Sequence, residues 1–278
     1  MTTSATLLLT LDGSTNAAAA LSVARGLAHL NGATVVLVHV GREALAPEAL
    51  LARLKLSADD VRGLVIDQCT GSPSDAIVRE AAARHAVTIV TCVPAEPDGP
   101  LHALGGALAS LLLAAPCPVV LVPSVPSRHP WVLRQLVLPH DGTPTSGAAI
   151  APAAELASRA DAGLVVLHVA TPGAGRPTES GTFGVPRYLD QQQHEWPVWS
   201  QEFLERVRGL GYPANIKKMR LVLAHGEASA AILAFAQSNA SDLIALAWRG
   251  RLEPERAHTI RRVLRDASCP VIVFRVEA

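Results

Sequence analysis

Charge is scarce in this chain. Only 17% of its 278 residues are Asp, Glu, Lys or Arg, and the two signs cancel to a formal net charge of zero. A neutral protein has no basic face with which to hold a polyanion, which argues against a nucleic-acid partner. The halves differ slightly: up to Ser127 there are 7 basic and 10 acidic residues, leaving 17 and 14 for the rest. That asymmetry can tune a phosphate site, but it is too small to imply a polyanion.

Cysteine is also sparse. Cys69, Cys92, Cys117 and Cys269 form no CxxC pair and have no clustered partners, which excludes a zinc site of the usual spacing. They lie in apolar sequence and are expected to be free, buried thiols in a reducing compartment. Catalytic signatures are missing too. There is no Gly-x-Ser-x-Gly elbow, no Walker A lysine, no Gly-x-Gly-x-x-Gly turn and no His-Glu-x-x-His. No basic region precedes the first apolar run, so no signal peptide is expected. Residues 103–122 carry no charge, but Gly105-Gly106 opens the run and Pro116-Cys117-Pro118 splits it. It reads as a helix, a break and a strand, not as a membrane span. The expectation is a soluble, cytoplasmic protein without catalytic activity.

What the chain does contain is a stretch that occurs twice. Leu7-Leu8-Leu9-Thr10-Leu11 leads into Asp12-Gly13-Ser14, and Leu136-Val137-Leu138-Pro139-His140 leads into Asp141-Gly142-Thr143. Each copy runs on into Ala-rich sequence with helical spacing. A strand that stops at Asp-Gly places a carboxylate at the carboxyl edge of a sheet, where open α/β sheets bind ligands.

The alternation continues on both sides of a Pro/Ser-rich linker at 123–130. In the first half, strands are expected at 6–11, 33–40, 61–70, 87–93 and 119–122. Helices are expected at 15–30 (Ser14 as N-cap), 42–56, 74–85 and 101–114. The partly polar third strand belongs near a sheet edge. In the second half, strands are expected at 133–139, 164–169, 216–224, 242–248 and 271–275, with helices at 146–160, 191–210, 226–238 and 257–266. Such alternation implies βαβ units and a parallel sheet. Further motifs recur: His-Val closes the second strand of each half (His39-Val40, His168-Val169), and Gly-x-x-Ser-x-Ala-Ile begins a helix at Gly71 and at Gly226. The chain is therefore an internal duplication, with domains at 1–125 and 131–278. The second carries an insertion at about 171–213, whose 171–187 part is a long Gly/Pro/Thr loop of the kind that is usually functional or disordered. Tyr188, Trp196 and Trp199 either pack this insertion onto the body or form a lid.

With Ala115-Pro116-Cys117-Pro118-Val119-Val120-Leu121-Val122 closing the first half, these motifs together resemble the universal stress protein family, in tandem. The resemblance implies a flavodoxin-like (HUP-type), doubly wound, five-stranded parallel sheet in each domain, and two domains packed as a pseudo-dimer, with a homodimer of chains left open. It also implies ATP or AMP as the candidate ligand. The family's loop after the fourth strand reads Gly-x-x-Gly, nine residues, Gly-Ser/Thr; its glycines let backbone N–H groups and a helix N-terminus approach phosphates. The Asp and the residues around His-Val serve the nucleoside.

Carried over position by position, the first half keeps Asp12, Gly13 and Val40, and Gly105-Gly106 stands at the Gly-Ser position. Cys92 and Ala95 replace the two earlier glycines at intact spacing, and Pro94, Pro97 and Pro100 remove donors. The second half keeps Asp141, Val169 and Gly250. Ala247 replaces the first glycine, Ala257-His258 replaces Gly-Ser, and the spacing is about three residues short. Arg249, Arg251, Arg256 and His258 gather there; they are either a side-chain phosphate clamp or a solvated surface paired with Glu253 and Glu255. Asp12 and Asp141 are either ligand groups or turn caps, and His39 and His168 read as structural. Three functions stay open: a stress-response protein with degenerate nucleotide sites acting by weak ligand binding or protein contacts; a true adenine-nucleotide regulator or slow ATPase; and a binder of another small ligand.

Overall fold

The computed structural model describes residues 5–11, 13, 17–93, 106–123, 130–170, 201, 202, 205, 218–249 and 254–276. It divides into two compact units, Met1–Val132 with Gly250–Arg275, and Leu133–Arg249 with Val276–Ala278.

In the first unit, β1 (Ala5–Thr10) carries Leu7, Leu8 and Leu9, all fully buried, so the strand is covered on both faces. It pairs in parallel with β2 (Ala33–Gly41) on one side and β4 (Ala86–Cys92) on the other. β3 (Val65–Thr70) lies outside β2 and β5 (Val119–Val122) outside β4, both parallel. The third strand is thus at the edge of the sheet, as its polar content indicates. The chain runs from β1 outward to β3 and then returns to the far side of β1. This reversal opens a switch point at the carboxyl ends of β1 and β4. The helices are α1 (Ala17–Asn31), α2 (Pro47–Leu54), α3 (Pro73–Ala83) and α4 (Gly106–Ala114).

The second unit repeats the plan with β6 (Gln135–Pro139), β7 (Gly163–Ala170), β8 (Met219–His225) and β9 (Leu243–Trp248), in the order β9-β6-β7-β8, all parallel. Its helices are α5 (Pro144–Ala148), α6 (Ile150–Arg159) and α7 (Ala228–Ser238). The last elements of the second repeat, α8 (Pro254–Asp266) and β10 (Val271–Arg275), belong to the first unit. There β10 lies antiparallel to β5, with Val271 opposite Leu121 and Val273 opposite Val119. Among the described residues, the first unit therefore holds six strands, five of them parallel, and the second holds four.

The duplication is visible in the backbone. Gly71 and Gly226, which open the matching helix starts, have φ of +112° and +116°, and the links before β4 and β9 turn through His85 and Ala240 at +48° and +47°. Elements also differ from expectation for local reasons. The second helix begins at Pro47 and not at residue 42, because the Gln68 side chain holds Leu45 by both its N–H and its C=O. The expected 146–160 helix is two helices broken at Ala149, because Pro152 has no N–H and its ring crowds the carbonyl four residues back. The third strand starts at Val65 because Ser57 donates to the Asp60 carboxylate, folding the preceding residues into turns. The 191–210 helix, the 171–187 loop, Tyr188, Trp196 and Trp199 lie outside the described residues.

Among the described residues, no helix is long and apolar enough to cross a membrane, and no cluster of three His, Cys, Asp or Glu can hold a metal ion. The four cysteines are free. Cys69 departs from the expected apolar setting: it is half-exposed on β3, where burial first, and then Glu80 and Asp67, push its thiol up. Cys117 is likewise only partly buried, against expectation, and desolvation alone pushes its thiol up to about 12.

Trp131, which follows the linker, packs on α1. Its backbone N–H donates to Ser22 Oγ at 2.8 Å, and its ring lies on Gly26, where a Cβ would come within 2.6 Å of it. Gly26→Val should therefore lower stability by about 1–3 kcal/mol. Urea unfolding measures this, and an unchanged midpoint would mean that the indole can swing aside.

Candidate functional site

The Asp-Gly turn of the second repeat is described in full. β6 ends at Pro139, His140 continues the ladder through its N–H to Leu167 O (2.8 Å), and Gly142 turns the chain at φ +84°. Thr143 then caps α5, its hydroxyl oxygen accepting from the Ser146 N–H, with Pro144 at the first helical position, where no donor is needed. One carboxylate oxygen of Asp141, Oδ1, accepts three hydrogen bonds from its own loop. They come from the Thr143 N–H (3.0 Å), the Thr143 hydroxyl (2.5 Å) and the Ser146 hydroxyl (2.7 Å). Thr143 and Ser146 are buried, whereas Asp141 is exposed.

Behind the turn stand two buried histidines. His168, near the end of β7, donates from Nδ1 to the His140 carbonyl at 2.8 Å. In the first repeat His39 makes the same bond to the Leu11 carbonyl at 3.2 Å. The recurring His-Val is thus a structural latch between neighbouring strand ends. His140 has no histidine counterpart, since Leu11 holds its place. Its Nδ1 accepts from the Gly142 N–H at 2.9 Å. Burial lowers its pKa to about 4, aided by His168 and opposed by Asp141. Burial also lowers His168, against its own hydrogen bond and Asp141.

In the first repeat, Gly13 has φ +85°, and a Cβ on it would come within 2.5 Å of the Arg53 carbonyl. The turn after β1 therefore lies tight against the last turn of α2. Val40 and Val169 are half-buried in matching places beside β3 and β8. Gly106 opens α4. Asp12, Ser14, Gly105, Gly250 and Arg251 lie outside the described residues. His258 is exposed on α8. Asp141 and Val169 belong to the second unit, while His258 belongs to the first.

Sequence reasoning missed His140, Thr143 and Ser146 as the partners of the turn, although Asp-x-Thr-x-x-Ser carries the signal of a capped turn. It also missed Glu227, whose carboxylate caps α7 by accepting from the Ser229 and Ala230 N–H groups. That makes the Gly-x-x-Ser motif a helix start.

The family model of the universal stress proteins matches residues 4–123 and again residues 133–275. The chain belongs to the universal stress protein family. It is a tandem member with one family repeat in each half. Among solved structures it is similar to a functionally unknown protein from Pseudomonas aeruginosa PAO1, at 18% identity and a TM-score of 0.65, covering 98% of this chain and 92% of that one. It is also similar to a universal stress protein from Archaeoglobus fulgidus DSM 4304, at 16% identity and a TM-score of 0.64, covering 97% and 96%. These likenesses carry the fold. No curated protein matches the chain.

Asp141→Ala should leave the Thr143 N–H without its acceptor, while the Ser146 hydroxyl keeps the Thr143 carbonyl at 3.0 Å, at a cost of about 1–3 kcal/mol in urea unfolding. His140 sets a pH dependence. Its folded pKa lies below the unfolded 6.5, so between pH 6.5 and about 4 the unfolded chain binds a proton that the folded chain refuses. Stability should fall as pH drops through that window, by up to ~1.4 kcal/mol per pH unit from this group. His140→Leu should flatten the profile in thermal unfolding scans.

Proposed function

We propose that this universal stress protein acts in the cytoplasm without catalysis, with degenerate nucleotide sites, through weak ligand binding or protein contacts. The observation that supports this most is the internal closure of the second Asp-Gly turn. Asp141 is engaged by Thr143 and Ser146, and the Gly142 N–H by His140. A carboxylate oxygen that already accepts three bonds is a poor acceptor for a ribose hydroxyl. The phosphate-facing glycines are also replaced in this repeat, at Ala247 and Ala257-His258. In this reading Asp141 and Val169 are structural. Arg249, Arg251, Arg256 and His258 then serve as no phosphate clamp.

A second reading, a true ATP- or AMP-binding regulator or slow ATPase, is favoured by the first repeat. Gly13 keeps its left-handed turn, and Gly106 opens α4 without a side chain that would bar a phosphate from the helix start. On that reading Asp12, Val40 and Gly105 complete the site.

Calorimetry with ATP, ADP and AMP separates the two. Degenerate sites should give no binding in the micromolar range, and Asp141→Ala should change nothing. Micromolar binding that vanishes in Asp12→Ala establishes the regulator instead, and binding that vanishes in Asp141→Ala overturns the structural assignment of the second turn.

A further inference from the structure

In the turn after β6 the residue before the aspartate is His140, where the first repeat has Leu11. That histidine faces inward and is 6% exposed. Its Nδ1 sits 2.9 Å from the Gly142 N–H, and a backbone N–H can only donate. Nδ1 must therefore hold a lone pair, which places the single ring proton on Nε2. Protonation converts Nδ1 into a second donor pointed at the first, so the bond cannot survive it.

We propose that His140 is a proton-operated latch: neutral, it holds the Asp141–Thr143 turn closed through the Gly142 N–H, and taking up a proton releases the turn. The latch is independent of nucleotide binding, since it acts on the turn whatever binds there.

The surroundings make the latch two-state. Gly142 is buried, so its N–H has no replacement partner in water while the turn stays closed. The His140 carbonyl is pinned by His168 Nδ1–H, so the residue's own backbone stays in place and the movement is confined to residues 141–143. The titratable groups acting on the ring are Asp141 in its own turn and His168 from β7. On α5, Gly147 has no side chain, and a Cβ there would lie 3.8 Å from Nε2. Asp141 favours the imidazolium and His168 opposes it; burial outweighs both, and the closed turn refuses the proton until about pH 4. An open, hydrated turn accepts it near the ordinary value of 6.5. Each pH unit of acidification between these values therefore favours opening about tenfold. Leu11 in the first repeat has no such response, which makes the device asymmetric between halves.

The test is amide exchange by NMR on the full chain between about pH 7 and 4.5, a window set by the titration of the histidine, corrected for the intrinsic pH dependence of exchange. Protection at Gly142 and Thr143 should fall at least tenfold, while the β7 amide of Val165 keeps its protection. His140→Leu should abolish the local loss. The native protein also gives a readout independent of that variant: the ring nitrogens of His140 should show an unprotonated Nδ1 at neutral pH. A protonated Nδ1 there overturns the proposal. So does constant protection at Gly142, or an equal loss of protection in His140→Leu, which would assign the opening to Asp141.

Discussion

A strand that ends beside its neighbours leaves its last carbonyl without a ladder partner. In both repeats this carbonyl is met by an imidazole N–H from the next strand: His39 reaches Leu11, and His168 reaches His140. A buried carbonyl left alone would cost about 1–3 kcal/mol. With the bond made, the chain leaves the sheet in a defined direction. Gly13 and Gly142 can then turn at nearly the same φ in sequences that otherwise share little. The Asp-Gly turn, the helix start after it and the switch point beside it all depend on that donor.

The two turns built on this common base have diverged. The second is closed on itself: its acid is capped by neighbours and its glycine N–H by a histidine. The first is pressed against α2, whose Arg53 carbonyl leaves no room for a side chain at Gly13. A helix C-terminus carries the negative end of the helix dipole, so the field near Gly13 from that quarter disfavours an anion. The two copies thus share a scaffold, while the second fills the space around Asp141 with Thr143 and Ser146 and the first sets Gly13 against Arg53.

This history explains what could be read from the residues. Strand positions were legible because buried parallel strands are continuous apolar runs, as Leu7–Leu9 and Val119–Val122 show. The duplication was legible because glycines with positive φ, such as Gly71 and Gly226, recur where no side chain serves equally well. The start of α2 was not legible, because it depends on Gln68, distant in sequence, reaching Leu45. The state of Asp141 was not legible either. Asp-Gly-Thr is compatible with an open acid or a capped one, and only the rotamers of Thr143 and Ser146 decide. His140 was overlooked because a lone histidine at a strand end gives no hint of which nitrogen must stay bare.

The pairing of β10 with β5 bears on where the chain can be cut. By sequence, the first repeat ends at the linker; by packing, its sheet ends at Val271–Arg275. A fragment stopping at the linker would keep β5, a fully buried Val-Val-Leu-Val strand, as a bare edge with its N–H and C=O groups open to any passing strand. The boundary between the two family repeats and the boundary between the two compact units therefore fall at different places. The tail of the second copy covers the β5 edge of the first.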